Sequence, residues 1–328
     1  MKLVIQIPAW DETPHIAAAV AELPKSVPGF DSVETLVIDD GSTDGTSEAA
    51  RLAGADHVVR LPVHRGLAAA WRTGLDAALR LGADVIVSTD ADRQYAAKDI
   101  ARLVEPILGG EAEIVIGDRD VSTKPDFSVG KRLAQRIGSW AVRRASGAEV
   151  PDAASGFRAL TRDAALKLNV FSKMTYTVET LIQAGNKEMR IAAVRVDTNP
   201  PLRPSRLIRG PWRYATIQGV NIVRISALYK PLPVFFGFSA LHLLAALILV
   251  GRYVWFVATG QNPAGHLQSL LLAAVLGIAS LFAFLIGLLA DLLSTNRTLL
   301  EELVLYERRR DADGGSMKDG PAPTNATP

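Results

Sequence analysis

The chain has 328 residues, enough for about two domains, and its formal net charge is only +2 at pH 7. This near balance, with no interleaving of aromatic and basic residues, argues against a nucleic-acid partner. There is no cysteine, which excludes disulfides, thiolate nucleophiles and zinc–thiolate sites. The first apolar run meets Asp11 too soon to be a signal peptide, so we expect a cytoplasmic first domain.

Residues 1–200 alternate β-branched runs with helical stretches, which predicts an α/β domain whose mostly parallel sheet is covered on both faces. The predicted strands are Leu3–Ala9, Thr35–Asp39, His57–Leu61, Val85–Thr89, Glu113–Gly117 and Ile191–Val196. The predicted helices span about residues 14–23, 43–53, 67–81, 97–108, 129–146 and 175–186. Ligands of such sheets bind beyond the carboxyl ends of the strands, so the polar residues found there are the candidates for a site.

The second predicted strand ends in two acids, Asp39 and Asp40, before a turn at Gly41. An acid at this place either accepts hydrogen bonds from a ribose or a base N–H, or belongs to the cap of the next helix. The pattern leaves both readings open. Further on, His64–Gly66 opens a helix whose first N–H groups, with the side chain of Arg65, could face a diphosphate.

The fourth predicted strand runs directly into Asp90 and Asp92. Side chains alternate along an extended chain, so both carboxylates point to one side of the sheet edge. Two hard oxygen ligands suit Mg²⁺ or Mn²⁺, which takes further ligands from water and substrate phosphates. Gln94 could add a carbonyl oxygen, and Arg119, after the fifth strand, is a candidate phosphate contact. The same spacing also fits a solvated turn.

Five stretches, in this order, resemble family two glycosyltransferases, most closely the dolichol-phosphate mannosyltransferase-like, polyprenyl-phosphate branch. They are Pro8–Glu12, Val37–Ser42, Asp90–Tyr95, Ile116–Arg119 and Ser155–Arg158. The resemblance covers about residues 1–200 and implies a Rossmann-like GT-A fold, a nucleotide-sugar donor, a divalent metal and inverting transfer. The Gln-x-x-Arg-Trp signature of processive synthases is absent, which favours the transfer of a single sugar.

Together with the strand ends, the resemblance assigns roles to individual residues. The donor nucleotide is assigned to Pro8, Ala9, Glu12, Asp39, Asp40 and Asp90. The metal is assigned to Asp90, Asp92 and Gln94, with Asp92 as the principal, catalytic ligand. Phosphate groups are assigned to Arg119, Ser155 and Arg158 on the motifs and to Arg65 at a helix start. Lys131 and Arg132, near the start of the basic helix 129–146, are added because they are better placed to reach the cleft than the rest of that helix, much of which also fits a solvated face.

Three positions depart from the family's usual pattern, although none removes a metal ligand. Asp11 stands where Asn is usual, and His64-Arg65 where a turn with Asn or Lys is usual. Arg93 stands where a neutral residue is more common. Each departure bears on which base or sugar is accepted.

Asp152 and Glu179 are the remaining candidate catalytic acids. A hydroxyl acceptor would require one of them as a general base. A lipid phosphate, whose second pKa is about 6, is already largely dianionic at neutral pH and needs no base. We therefore expect these acids to orient substrates first and to act as bases second.

The second half of the chain contains two long apolar runs without charge, Leu232–Gly251 and Leu267–Ala290. About 20 apolar residues cross a hydrocarbon core of roughly 30 Å, so residues 231–293 are predicted to form a two-helix transmembrane hairpin. Basic residues flank the pair, whereas the linker has only Arg252, so both termini are expected in the cytoplasm. We predict a multi-pass protein of the cytoplasmic (inner) membrane, with residues 294–328 as a cytoplasmic helix end and, after Arg310, a disordered tail.

A stripe of small residues in the second apolar run recurs every fourth position: Ala279, Ala283 and Gly287. Such a stripe lets another helix approach closely. The partner is either the first span or another subunit of a homo-oligomer.

Residues 201–230 form a basic amphipathic segment, in which residues 212–229 are predicted to form a helix lying on the membrane surface. Arg203 and Arg206 either attract anionic lipid in general or clamp the acceptor phosphate between membrane and cleft. The sequence thus predicts transfer of one sugar from GDP-mannose or a UDP-hexose to a polyprenyl or dolichyl phosphate. Two alternatives remain: transfer to a hydroxyl of a lipid or glycan, and an inactive membrane scaffold that binds nucleotide sugars.

Overall fold

A computed structural model of the chain describes residues 1–120, 150–170, 176–199, 231–260 and 267–315, with the single positions 143, 220 and 229. The chain divides into two compact units, one formed by Met1–Ile222 with Leu303–Pro328 and the other by Val223–Glu302. The predicted helix 129–146 and the predicted surface helix within 201–230 lie outside the described residues, apart from those single positions. This also holds for Lys131, Arg132, Arg203 and Arg206.

The first unit contains a seven-stranded sheet in the order β3-β2-β1-β4-β6-β5-β7. Its strands are β1 Lys2–Ala9, β2 Ser32–Asp39, β3 His57–Arg60, β4 Val85–Ser88, β5 Ile114–Asp118, β6 Arg158–Thr161 and β7 Ile191–Arg195. All neighbouring strands are parallel except β6, which is antiparallel to both β4 and β5. The predicted α/β fold with a mostly parallel sheet is confirmed.

Six α-helices are described between the strands of the first unit. They are α1 Thr13–Ala21, α2 Thr46–Leu52, α3 Leu67–Arg80, α4 Ile100–Leu108, α5 Arg162–Lys167 and α6 Thr177–Asn186. The core is centred on β1 and β4, where successive residues such as Leu3, Val4 and Ile5 are completely buried. Consecutive residues can be buried only if both faces of the strand are covered, and this is the arrangement that the sequence predicted.

The antiparallel strand β6 and the short helix α5 were not predicted, because four to six residues are too few to show a periodicity. The direction of β6 matters for the site. Its first residue, Arg158, pairs with Ser88 at the end of β4 and with Ile116 in β5. The segment that precedes β6 therefore lies at the carboxyl edge of the parallel strands.

The second unit contains two long apolar helices, α7 (Pro231–Ala258) and most of α8 (Leu267–Gly315). Both are long and apolar enough to cross a membrane. Leucines such as Leu241 and Leu271 are each 62% exposed, so their apolar surface is not the core of this unit. Helix α7 continues beyond the predicted end at Gly251, and Arg252, predicted in the linker, is helical.

The two helices pack against each other through small residues. The hydroxyls of Ser239 and Ser280 are buried 3.0 Å apart, and Ser280 also donates to the carbonyl oxygen of Ser239. A Cβ atom at Gly287 would lie 2.9 Å from Cβ of Phe235 in α7. At this position of the small-residue stripe, the close neighbour is the first apolar helix of the same chain.

The last turns of α8, from Leu303, belong to the first unit. Arg308 Nη1 donates to the carbonyl oxygens of Leu168 (2.8 Å) and Leu166 (3.4 Å), at the end of α5. Its Nη2 lies 3.5 Å from Asp76 in α3. These contacts stabilise the last turns of the helix. The sequence predicted a disordered tail after Arg310, but the helix continues and ends at Gly315.

Replacing Arg308 by Ala should lower the free energy of unfolding by about 1–2 kcal/mol, because two carbonyl groups and a carboxylate lose a charged donor. The measurement is thermal unfolding of the full chain in detergent. The matched control is Arg309→Ala, which removes one exposed ion pair with Asp163 and should cost less than about 0.5 kcal/mol. Equal midpoints for the two variants would contradict this role of Arg308.

Candidate active site

The carboxyl edge of the sheet gathers most of the described residues that the sequence singled out. They lie at the ends of β1 (Glu12), β2 (Asp39 and Asp40), β4 (Asp90, Asp92 and Gln94) and β5 (Arg119), or at the start of β6 (Asp152 and Ser155 before it, Arg158 as its first residue). Pro8 and Ala9 belong to β1 itself, opposite Ile38 and Asp39 of β2.

The end of β1 is tied to the turn after β2 by hydrogen bonds. Asp11 has a positive φ of 48°; its N–H donates to Ser42 Oγ (2.9 Å) and its Oδ1 accepts from the Thr43 N–H (3.0 Å). The Glu12 N–H donates to Thr46 Oγ1 (2.9 Å), and the Glu12 side chain is buried. These bonds fix the position of Glu12 at the edge of the sheet.

Asp39 is buried and engaged within its own turn. Its Oδ1 accepts from the Ser42 N–H (2.8 Å) and its Oδ2 accepts from the Ser47 hydroxyl. Both contacts lie between β2 and the start of α2, whose N-cap Gly45 has no side-chain cap, and the nucleoside contact of Asp39 stays a prediction.

Asp40 holds the loop that leads into α3. Its two carboxylate oxygens accept from the N–H groups of Arg65 and Gly66, both at 2.8 Å. His64 Nδ1 lies 2.8 Å from the same carboxylate, and the His64 ring stacks on Trp10 at 4.0 Å. These two N–H groups belong to the loop before α3, so the expectation that the first N–H groups of the helix face a diphosphate stays a prediction. The Arg65 side chain is exposed.

The paired acids Asp90 and Asp92 are both partly buried just beyond β4. Burial, reinforced by the charge of Asp92, raises the pKa of Asp90 from 3.8 to about 7, against the opposing effect of Arg119. Asp92 Oδ1 accepts from the Gln94 N–H at 3.0 Å. A Cβ at position 156 would lie 3.3 Å from both oxygens of Asp90, so Gly156 leaves room beside this carboxylate.

Arg119 and Asp152 form a bidentate ion pair at the same edge. Nε of Arg119 lies 2.6 Å from Oδ2 of Asp152, and Nη2 lies 3.0 Å from Oδ1. Burial acts to lower the pKa of Arg119, but Tyr95, Asp152 and Asp90 together raise it. The guanidinium of Arg119 therefore stays charged.

Arg158 is completely buried and binds the segment before β6 from inside. Its guanidinium donates to the carbonyl oxygens of Ser155 (2.9 Å) and Ala153 (3.1 Å) and to Thr180 Oγ1 (2.7 Å). Burial lowers its pKa to about 10. Arg158, which the sequence assigned to a phosphate group, thus supports the segment before β6 from within. Ser155 is also fully buried.

The sequence analysis missed two tyrosines that hold Gly156 beside Asp90. Tyr95 OH accepts from the Gly156 N–H (3.0 Å), and Tyr176 OH donates to the Gly156 carbonyl oxygen (3.1 Å). Tyr176 stacks on Trp71 at 4.3 Å, and burial raises the pKa of both tyrosines. The available signal was that Tyr95 directly follows the acidic motif.

Glu179, the other candidate acid, is buried in the first turn of α6, and its Oε1 lies 3.5 Å from Gln183 Nε2. Within the described parts of the chain, no group of three or more His, Asp or Glu side chains could hold a metal ion. The arrangement can instead hold a cation that takes further ligands from a substrate, next to a charged arginine.

An α/β sheet domain with an acidic pair at its carboxyl edge is the architecture of a GT-A nucleotide-sugar transferase. Residues 4–168 match the profile described as Glycosyl transferase family 2, and the chain belongs to this family. The family that the sequence motifs suggested is confirmed.

Three relatives represent the matches to characterised proteins. Polyprenol monophosphomannose synthase of Mycolicibacterium smegmatis is 31% identical over 176 residues, covering 52% of this chain and 65% of that protein. UDP-N-acetylglucosamine--dolichyl-phosphate N-acetylglucosaminyltransferase of Methanococcus voltae is 28% identical, with 58% and 83% covered. Glycosyltransferase AglJ of Haloferax volcanii is 29% identical over 307 residues, with 91% and 96% covered. Homologues thus act on polyprenyl phosphates.

The fold also has solved counterparts. The Mycobacterium tuberculosis glucosyl-3-phosphoglycerate synthase, crystallised with Mn²⁺, UDP and glucosyl-3-phosphoglycerate, gives a TM-score of 0.53 at 23% identity. The superposition covers 69% of this chain and 78% of that one. This likeness confirms the predicted GT-A fold.

Asp90→Asn should stabilise the metal-free protein at pH 8. Because the pKa of Asp90 is about 7 in the folded chain and 3.8 ordinarily, the native state binds more protons between these values. Stability therefore falls as the pH rises through this window, and Asn removes a penalty on the order of 1 kcal/mol or more.

The measurement is thermal unfolding of the full chain in detergent with EDTA, at pH 4 and pH 8. Asp163→Asn, the same change at an exposed residue, is the control. An Asp90→Asn variant that is less stable than wild type at pH 8 would show that the carboxylate is not strained by burial.

Proposed function

We propose that this protein transfers one sugar, with inversion, from a nucleotide diphosphate sugar to a polyprenyl or dolichyl phosphate. The observation that carries the proposal is the acidic pair Asp90 and Asp92, held at the sheet edge next to the Arg119–Asp152 ion pair. The relatives whose names specify polyprenol and dolichyl phosphate support this acceptor class.

Asp90 and Asp92, with Gln94, would hold Mg²⁺ or Mn²⁺. The residues fit such an ion, because a divalent cation stabilises two neighbouring, partly buried carboxylates, and the pKa of Asp90 is raised by burial and by the charge of Asp92. When bound, the ion neutralises charge that develops on the leaving diphosphate. Glu12, Asp39 and the end of β1 at Pro8 and Ala9 would bind the nucleoside.

The donor is proposed as GDP-mannose or a UDP-hexose. The names of the relatives specify mannose in one case and N-acetylglucosamine in another. Both belong to sugar nucleotides with the same diphosphate, which the acidic pair and its metal would bind in the same way. An assay with labelled GDP-mannose, UDP-glucose and UDP-N-acetylglucosamine distinguishes these donors.

The acceptor phosphate needs neighbouring positive charge more than it needs a base. A phosphate monoester is largely dianionic at neutral pH and already nucleophilic. Asp152 is bound by Arg119, which fits an orienting role, and the buried Glu179 is assigned the same role. Positive charge at the acceptor would come from Arg119 and Arg65 and from Lys131, Arg132, Arg203 and Arg206.

Anchoring in the cytoplasmic membrane is proposed for α7 and α8. Their length and exposed leucines support membrane spans, and basic residues flank the pair in the sequence. Both termini would then be cytoplasmic. The alignment with AglJ extends over 91% of this chain and so includes this region.

Asp92→Ala should reduce transfer at least about 10³-fold, because the metal and the leaving diphosphate lose their principal ligand. The assay supplies undecaprenyl phosphate and radiolabelled GDP-mannose, UDP-glucose or UDP-N-acetylglucosamine, and measures the label that enters the organic phase. Asp163→Ala is the control at an exposed acid. Retained turnover by a folded Asp92→Ala variant would refute the assignment.

The same assay separates the alternatives. Transfer to undecaprenol, which lacks the phosphate, would favour an enzyme that glycosylates hydroxyls. Binding of the nucleotides without transfer or hydrolysis of any donor, in the presence of Mn²⁺, would favour an inactive scaffold.

Arg203→Ala and Arg206→Ala should each raise the KM for undecaprenyl phosphate about tenfold and change the KM for the donor less than twofold. A lost contact to a charged phosphate costs about 1.4 kcal/mol or more, which corresponds to this factor. Arg51→Ala, at an exposed arginine of α2, is the control. Equal effects on both KM values would count against an acceptor clamp.

A further inference from the structure

We propose that Asn199 is a positioning residue for the metal pair and acts on Asp92 through the peptide group between Arg93 and Gln94. The inference rests on the proposed function, because it concerns residues that would hold the metal. The juxtaposition that carries it is the side chain of Asn199 on one side of this peptide group and the carboxylate of Asp92 on the other.

The turn after Asp92 has a backbone conformation that the residue at its centre, Arg93, does not favour. Arg93 has a φ of +57°, in the left-handed region that residues other than glycine rarely adopt. Such a conformation persists only when surrounding contacts determine it. The contacts that hold this turn therefore decide where Asp92 points.

Asn199 supplies two of these contacts. Its Nδ2 donates to the carbonyl oxygen of Arg93 at 2.8 Å, and its backbone N–H donates to the carbonyl oxygen of Gln94 at 2.9 Å. The pairing continues with a bridge between Tyr95 and Thr198. The chain after Asp92 is thus paired, residue by residue, with the segment that ends at Asn199.

The first of these bonds reaches Asp92 through one rigid group. The carbonyl of Arg93 and the N–H of Gln94 belong to the same planar peptide unit. That N–H donates to Asp92 Oδ1 at 3.0 Å. A rotation of this plane would break both hydrogen bonds together, and successive hydrogen bonds through one amide polarise and strengthen each other.

A second contact holds the side chain of Arg93. Its guanidinium forms an ion pair with Glu22, the residue that follows α1. Glu22, Arg93 and Asp90 line one small cavity. This pairing accounts for an arginine where the family usually has a neutral residue: its charge is bound to an acid of the neighbouring helix.

The test measures Mn²⁺ affinity directly. Mn²⁺ alone is titrated into the full chain in detergent, and free Mn²⁺ is followed by electron paramagnetic resonance. Asn199→Ala should raise the Kd about fivefold, and Asn199→Ser, which cannot reach the carbonyl in the same way, should match it. Lys98→Ala is the control, because it removes the exposed ion pair with Asp197 in the same paired segment.

A double-mutant cycle separates positioning from a general loss of structure. Glycine adopts the left-handed turn without strain, so Asn199→Ala should raise the Kd less than twofold in an Arg93→Gly background. Comparison within that background also cancels the effect of removing the arginine charge. Hydrogen exchange over residues 90–96 should be faster in Asn199→Ala than in wild type.

The outcomes distinguish this inference from the proposed function. An unchanged Kd in Asn199→Ala, or the same fivefold effect in both backgrounds, would overturn the positioning role while leaving the metal site intact. Absence of Mn²⁺ binding to the wild type would overturn both. In turnover, the Mn²⁺ concentration for half-maximal transfer should rise in Asn199→Ala, whereas kcat at saturating Mn²⁺ should stay close to that of the wild type.

Discussion

The repulsion between two carboxylates at the end of a buried strand is the constraint around which the site is arranged. Asp90 and Asp92 stand one residue apart, and burial with the neighbouring charge raises the pKa of Asp90 to about 7. Arg119 is the charge that opposes this effect, and it is itself fixed by the bidentate contact with Asp152. Arg119 therefore acts on two acids of the edge, Asp152 and Asp90.

The topology explains how residues far apart in sequence meet at these carboxylates. Because β6 runs against its neighbours, the segment from Asp152 to Phe157 enters at the carboxyl edge of β4 and β5. Gly156 can lie against Asp90 only because it lacks a side chain, and two tyrosine hydroxyls bind its backbone on both sides. The antiparallel direction of β6 thus brings the segment before it against the carboxyl edge of the parallel strands.

The sequence predicted those parts of the fold that depend on local pattern. Buried β-branched runs such as Val85–Val87 identify their strands, and the acids that follow them identify the edge. The partners of these acids could not be predicted, because they are distant: Tyr95 and Gly156 lie 61 positions apart. The roles of Asp40, as the residue that holds the start of α3, and of Arg158, as a buried brace, likewise depend on contacts that no periodicity reports.

Two arginines assigned to phosphate on the same motif reasoning have different surroundings, and this changes what the edge can offer an anion. No carboxylate of the described residues forms an ion pair with the buried Arg158, and burial lowers its pKa to about 10, whereas the pKa of Arg119 is raised. Arg119, however, already shares its charge with Asp152. In the proposed function, a diphosphate and a dianionic lipid phosphate would meet at an edge whose described acids outnumber its arginines: Glu12, Asp39, Asp40, Asp90, Asp92 and Asp152 against Arg65, Arg119 and Arg158. In this proposal the additional positive charge would come from a bound divalent cation and from the basic residues of 129–146 and 201–230, and metal binding and acceptor binding would then depend on each other.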